Sequence, residues 1–106
     1  MIVQYESAKV TKPFDGITRR VLASSRDVML TEHLLKEGAV LPEHNHPHEQ
    51  LVYLLSGELL LEIDGQQMTM ISGDSVVVPS DAPHKATANK ACRVLDIFVP
   101  AREDYR

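Results

Sequence analysis

The chain has 106 residues, 43% of them hydrophobic and 25% charged, which is the composition of one folded domain and excludes a disordered or collagenous chain. Eleven Lys and Arg against fifteen Asp and Glu leave a formal charge of −4, which argues against nucleic acid as a partner. No apolar run reaches the roughly 20 residues that cross a bilayer, Glu6 and Lys9 interrupt the region where a secretory signal would be apolar, and Cys92 is the single cysteine, so no membrane partner and a cytoplasmic location are expected.

In chain order, Phe14-Asp15-Gly16 reads as a turn and Ile17–Ser24 as a strand with alternating sides. Further strands are predicted over residues 28–35 (VMLTEHLL), 50–55 (QLVYLL), 59–63 (LLLEI), 67–71 (QMTMI), 75–78 (SVVV) and 93–99 (RVLDIFV), all short and mostly β-branched or apolar. Glu37-Gly38, Ser56-Gly57, Asp64-Gly65, Gly73-Asp74 and the segment from Pro79 to Pro83 separate them as turns. Asp-Gly is a strong hairpin signal, because both residues accept the positive φ that matches strand twist. Helix has little room, and strands spaced by about 8 to 12 residues indicate one antiparallel sandwich or small barrel. Segments 50–55 and 59–63 are apolar at both parities, as in strands covered on both faces by the interior and by a second sheet or subunit, so a homodimer is expected.

Five histidines are present, His33, His44, His46, His48 and His84, and three of them crowd into residues 44–48. Imidazole is the commonest side-chain ligand for transition metals. In an extended segment, residues two apart share a face, so His44 and His46 can aim at one point, with Gln50 on the same parity. His84 follows the rigid segment framed by Pro79 and Pro83. Three imidazoles and one amide oxygen form a neutral set that would leave a divalent ion its full charge and its Lewis acidity. A polar loop without metal fits the same residues, and spacing alone leaves both readings open. Asp96 shares parity with Cys92, Val94 and Phe98 in an otherwise apolar strand. His33 reads as a hydrogen-bonded structural histidine, His48 as a surface or rim residue, Cys92 as a small buried side chain, and Met68 and Met70 as core or cavity wall.

Two motifs carry a resemblance to the cupins. Gly38, His44, His46, Gln50 and Gly57 match G-x5-H-x-H-x3-4-E-x6-G with Gln in place of Glu, over residues 38–57. Gly73, Pro79 and His84 match G-x5-P-x-G-x2-H-x3-N over residues 73–88, with Asp81 at the second glycine position and Ala88 in place of Asn. The resemblance implies an all-β fold, an RmlC-like antiparallel β-barrel (double-stranded β-helix, jelly-roll type) in which residues 1–106 form a single domain. It also implies one divalent ion, Zn, Ni, Fe, Mn or Co, on His44, His46, Gln50 and His84. Residues 96–104 (DIFVPARED) with residues 44–50 (HNHPHEQ) further resemble the small KdgF-type cupins of pectin and alginate breakdown, which convert 4,5-unsaturated monouronates to the linear keto form. That resemblance implies a sugar-acid substrate, proton transfer by Asp96, a wall for the ring from Phe98, and a grip on the substrate carboxylate from Arg102. Two other readings remain open: a metal-containing cupin that binds a small sugar or organic acid without turnover, and an Fe-dependent dioxygenase.

Overall fold

The structure is a computed structural model and describes residues 1–106. Eight strands run in chain order: β1 Lys9–Phe14, β2 Ile17–Ser24, β3 Met29–Leu35, β4 Val40–His44, β5 Glu49–Ile63, β6 Gln66–Ile71, β7 Ser75–Val78 and β8 His84–Val99. Short 3-10 turns at Tyr5–Ser7 and Glu103–Tyr105 flank them. All pairings are antiparallel in the order β1-β2-β3-β8-β5-β6, with β4 on β8 and β7 on β5. No helix is long and apolar enough to cross a membrane.

The longest ladder joins β5 to β8, from Glu49↔Val99 to Ile63↔His84. A straight strand as long as β5 would span about 46 Å at its usual rise, whereas the molecule's greatest extent is 36 Å. The ladder therefore bends. Its register slips between Leu54 and Leu59, and Gly57 sits there at φ 99°. The turn predicted at Ser56-Gly57 is thus a bulge within one continuous strand, which bends because the extra residue has no ladder partner.

The slip also accounts for the apolar residues at both parities. Gln50, Val52 and Leu54 are buried before it, and Leu59, Leu61 and Ile63 after it, so the inward parity changes while the same interior is served. Leu51 and Tyr53 face outward and are 45% and 43% exposed, so no second sheet of this chain covers that face of the segment.

The other turns follow the chain chemistry. Asp64 (φ 50°) and Gly65 (φ 79°) close the β5–β6 hairpin. β1 and β4 were not predicted as strands, nor was the first half of β8. In the latter, His84, Ala86 and Ala88 point inward between outward Lys and Thr, a period of two carried by side chains too small to register as an apolar run. Met70 lies in the core with Met68 packed against it, and the buried Cys92 donates its thiol proton to the Glu58 and Lys90 carbonyls. On the outer face of β3, Glu32 is 1% exposed beneath the Tyr5 hydroxyl (2.5 Å) and Arg93 Nε (2.7 Å). Burial alone would raise its carboxyl, but these two donors outweigh it and hold the group below the usual range.

A Cβ added at Gly57 would lie 2.1 Å from the Ala91 carbonyl oxygen, while one added at Gly65 meets nothing within 4 Å. Gly57→Ala is expected to cost more than about 3 kcal/mol and Gly65→Ala about 1 kcal/mol in urea unfolding, because only the first adds a backbone clash to the cost of positive φ.

Candidate metal centre

Four side chains from different parts of the chain converge at one end of the barrel interior. His44 is the last residue of β4, Gln50 the second of β5 and His84 the first of β8. His46 lies beyond β4, so the shared strand face expected for His44, His46 and Gln50 does not exist. The chain turns after His44, and backbone bonds to another loop fix His46 instead. Asp81 N–H donates to the His46 carbonyl (2.8 Å) and the Ser80 hydroxyl to the Pro47 carbonyl, which ties the segment before β8 to the histidine loop. Asp81 takes φ 64°, the left-handed conformation that explains a glycine at this place in the second motif and that Asp also tolerates.

The three imidazoles are oriented alike. Nδ1 of His44, His46 and His84 lies 3.0, 3.0 and 2.9 Å from the carbonyl oxygens of Pro42, His48 and Ala82. Each Nδ1 carries the proton and donates, which leaves each Nε2 bare. The ligand atoms of the triad lie within 4.8 Å of one another, and the buried His84 Nε2 has no hydrogen-bond partner. Gln50 donates through Nε2 to Asp96 Oδ1 (2.9 Å), so its Oε1 faces His46 Nε2 at 3.1 Å. Two acceptors at that distance repel unless a cation satisfies both. This donor set fits a divalent transition ion.

Burial takes the charged form of His46 out of water and, with the Arg102 cation and then His84 adding to it, lowers its pKa from 6.5 to about 4. Burial lowers His84 as well, and His48, where Arg102 adds to the effect. Of the ligand candidates, His46 and His84 are thus kept in the neutral form that binds metal.

Asp96 is 5% exposed and lines the cavity beside Gln50, its second oxygen 2.7 Å from His33 Nδ1. Phe98 is fully buried with its ring edge-on to His46, centroids 5.7 Å apart. The Arg102 guanidinium lies over Phe98 and Tyr105 and clasps the exposed Asp104 with Nε and Nη2 (3.0 and 2.8 Å). Its Nη1 is buried without a partner. The cavity is narrow and open at its mouth, so it suits a small ligand gripped closely.

Among the polar wall residues, His33 and Tyr105 are not assigned to the cavity by sequence reasoning. His33 alternates inward with Met29 and Thr31 on β3, a signal that was available. Tyr105 is brought in by the C-terminal 3-10 turn, which has no pattern to read. His48 stays half-buried at the side, its ring 5.5 Å from that of His46.

The family described as Cupin domain matches residues 31–98. The pectin degradation protein KdgF of Dickeya dadantii is 29% identical over 93 residues, 86% of this chain and 84% of that protein. The structure of KdgF from Halomonas sp. superposes with a TM-score of 0.93 at 28% identity, covering 100% of this chain and 98% of that one. An RmlC-like cupin from Shewanella frigidimarina gives the same TM-score and identity over 99% of this chain and 95% of that one.

The depressed His46 pKa sets a pH dependence for the metal-free protein. Between 6.5 and about 4 the unfolded chain binds a proton at this residue and the folded chain does not. The stability contributed by neutral His46 is full above that window and is lost as pH falls through it, by up to about 3 kcal/mol. Urea unfolding across the window should show this fall, and His46→Gln should reduce it, leaving the share of His48 and His84.

Proposed function

The chain belongs to the cupin family, and within it we propose a metal-dependent enzyme of sugar-acid catabolism that opens and tautomerises a 4,5-unsaturated monouronate to its linear keto form. One observation carries this reading. A neutral three-histidine, one-amide donor set lies with an acid and an aromatic ring around one cavity, and an arginine stacks behind that ring, in a chain similar along most of its length to a protein named for pectin degradation.

A divalent ion held by His44, His46, Gln50 and His84 supplies Lewis acidity toward substrate oxygen. The enol-to-keto change moves one proton from an oxygen to a carbon. Asp96 carries it: each of its oxygens accepts one hydrogen bond from the protein and keeps a second lone pair. Phe98 offers an apolar wall to the ring and excludes water. Arg102 uses the free Nη1 for the substrate carboxylate, its fork already oriented by Asp104. Held close to the site, that cation offsets the chain's acidic balance and favours an anionic substrate.

The expected homodimer finds support in an apolar row on the outer sheet. Leu30 pairs with Ile97, Ile97 with Leu51 and Leu51 with Val77, across β3, β8, β5 and β7. Ile97, Leu51 and Val77 are 36%, 45% and 49% exposed, and Tyr53 extends the patch. A second copy of the same row would cover it.

Lyase-generated unsaturated monouronate should lose its alkene absorbance in the presence of the protein, chelation should abolish the loss, and a divalent ion should restore it. Full activity after verified metal removal would sink the mechanism. At saturating metal, Asp96→Asn should slow turnover about 10²- to 10⁴-fold, the usual worth of a positioned acid–base. Sedimentation velocity should report a dimer that Ile97→Lys converts to monomer, and a monomeric native protein would remove the dimer.

A further inference from the structure

His33 is 7% exposed, lines the cavity and takes part in no step above. It belongs to a chain of hydrogen bonds that crosses four strands. Arg19 on β2 is paired in register with His33 on β3, and His33 with Val94 on β8. Asp96 is the next inward residue after Val94, and Phe98, one further inward step along, is paired with Gln50 on β5. The chain therefore runs diagonally along the inner face, where side chains one inward step apart are within reach.

Each link has only one possible direction. Arg19 Nε lies 3.1 Å from His33 Nε2, and a guanidinium only donates, so His33 Nε2 is the acceptor. A proton on that nitrogen would face the N–H of Arg19. His33 is therefore neutral with its proton on Nδ1, which donates to Asp96 Oδ2 at 2.7 Å. Asp96 accepts on both oxygens, and its Oδ1 takes the Gln50 Nε2 proton at 2.9 Å. An amide with its nitrogen committed to Asp96 has its oxygen on the opposite side, toward His46.

We infer that Arg19 and His33 are positioning residues, which act through Asp96 to fix the direction in which the Gln50 amide faces and so present an oxygen, not an N–H, to the metal. This rests on Gln50 as a metal ligand. It gives Asp96 a second task, as the acceptor-only hub between two donors. It also supplies a reason for Gln50 where the first motif has Glu: a carboxylate there would oppose the Asp96 carboxylate across the same short contact.

The tautomer is read directly on the native protein from ¹H–¹⁵N correlations of the imidazoles. The expected result is the Nδ1–H form at His33, and an Nε2–H or doubly protonated ring overturns the inference. Cobalt(II) titration of the metal-free protein gives the second readout. His33→Phe and Asp96→Asn should each weaken cobalt about 10- to 100-fold, the usual effect of losing an outer partner of a ligand, and should shift the visible d–d bands. His33→Asn, which keeps an N–H donor near the Nδ1 position, should recover most of the affinity. The double variant Gln50→Glu with Asp96→Asn should recover it too, because the introduced amide would accept from His33 and donate to the introduced carboxylate. Native-like cobalt binding by His33→Phe, a double variant no better than Asp96→Asn, or a native protein that takes up no cobalt overturns the inference. Since the readouts are tautomer and affinity, a protein that shows these shifts but converts no uronate supports the inference while failing the proposed reaction.

Discussion

The β5–β8 ladder has to fold back on itself, and the rest of the molecule depends on that constraint. Gln50 and His84 lie near opposite ends of the two longest strands, yet their side chains meet the same histidine cluster. Only a strong bend brings them together. Its weak point is the contact between Gly57 and the Ala91 carbonyl, which leaves no room for a side chain. A glycine with no chemical role thus sets the distance between groups that do have one. The Pro79 to Pro83 loop, anchored to the backbone of His46 and Pro47, then settles the remaining freedom of His84.

At the site, backbone carbonyls choose the tautomers. Three Nδ1–H groups find carbonyl partners close by in sequence, so the bare nitrogens gather on one side in a water-poor cavity. Burial then favours the neutral rings of His46 and His84, and Arg102 adds to the effect at His46. The residues that prepare the site to accept a cation are therefore mostly outside the donor set itself. The tautomers come from short-range chain geometry and the charge state mainly from depth.

Legibility in the sequence followed the range of each interaction. The convergence of His44, His46, Gln50 and His84 was legible through the family resemblance that two motifs carry, whereas their spacing alone left a polar loop equally open. A period of two put Asp96 on the face of Cys92, Val94 and Phe98, and the resemblance pointed to that face as the inner one. The Arg19–His33–Asp96 connection could not be read in that way, because it depends on the registers of β2 with β3 and of β3 with β8, which no single strand contains. The first half of β8 escaped because alanine carries little apolar signal, although the barrel needs side chains of that size there. Ser56-Gly57 misled because the same dipeptide serves a turn or a bulge, and only the partner strand decides which.

The slip in β5 acts on side chains as a change of reading frame acts on codons. Upstream of it the inner face is written in even positions, Gln50, Val52 and Leu54; downstream it is written in odd ones, Leu59, Leu61 and Ile63. Loss of one residue between them would put both apolar sets on one parity, so a regular strand could bury them and the bulge that bends the ladder would have no residue to form it, although no buried side chain had been altered. Gly57 apart, substitutions and deletions in these few half-exposed residues are thus events of different kinds, the first local and the second felt through the whole barrel.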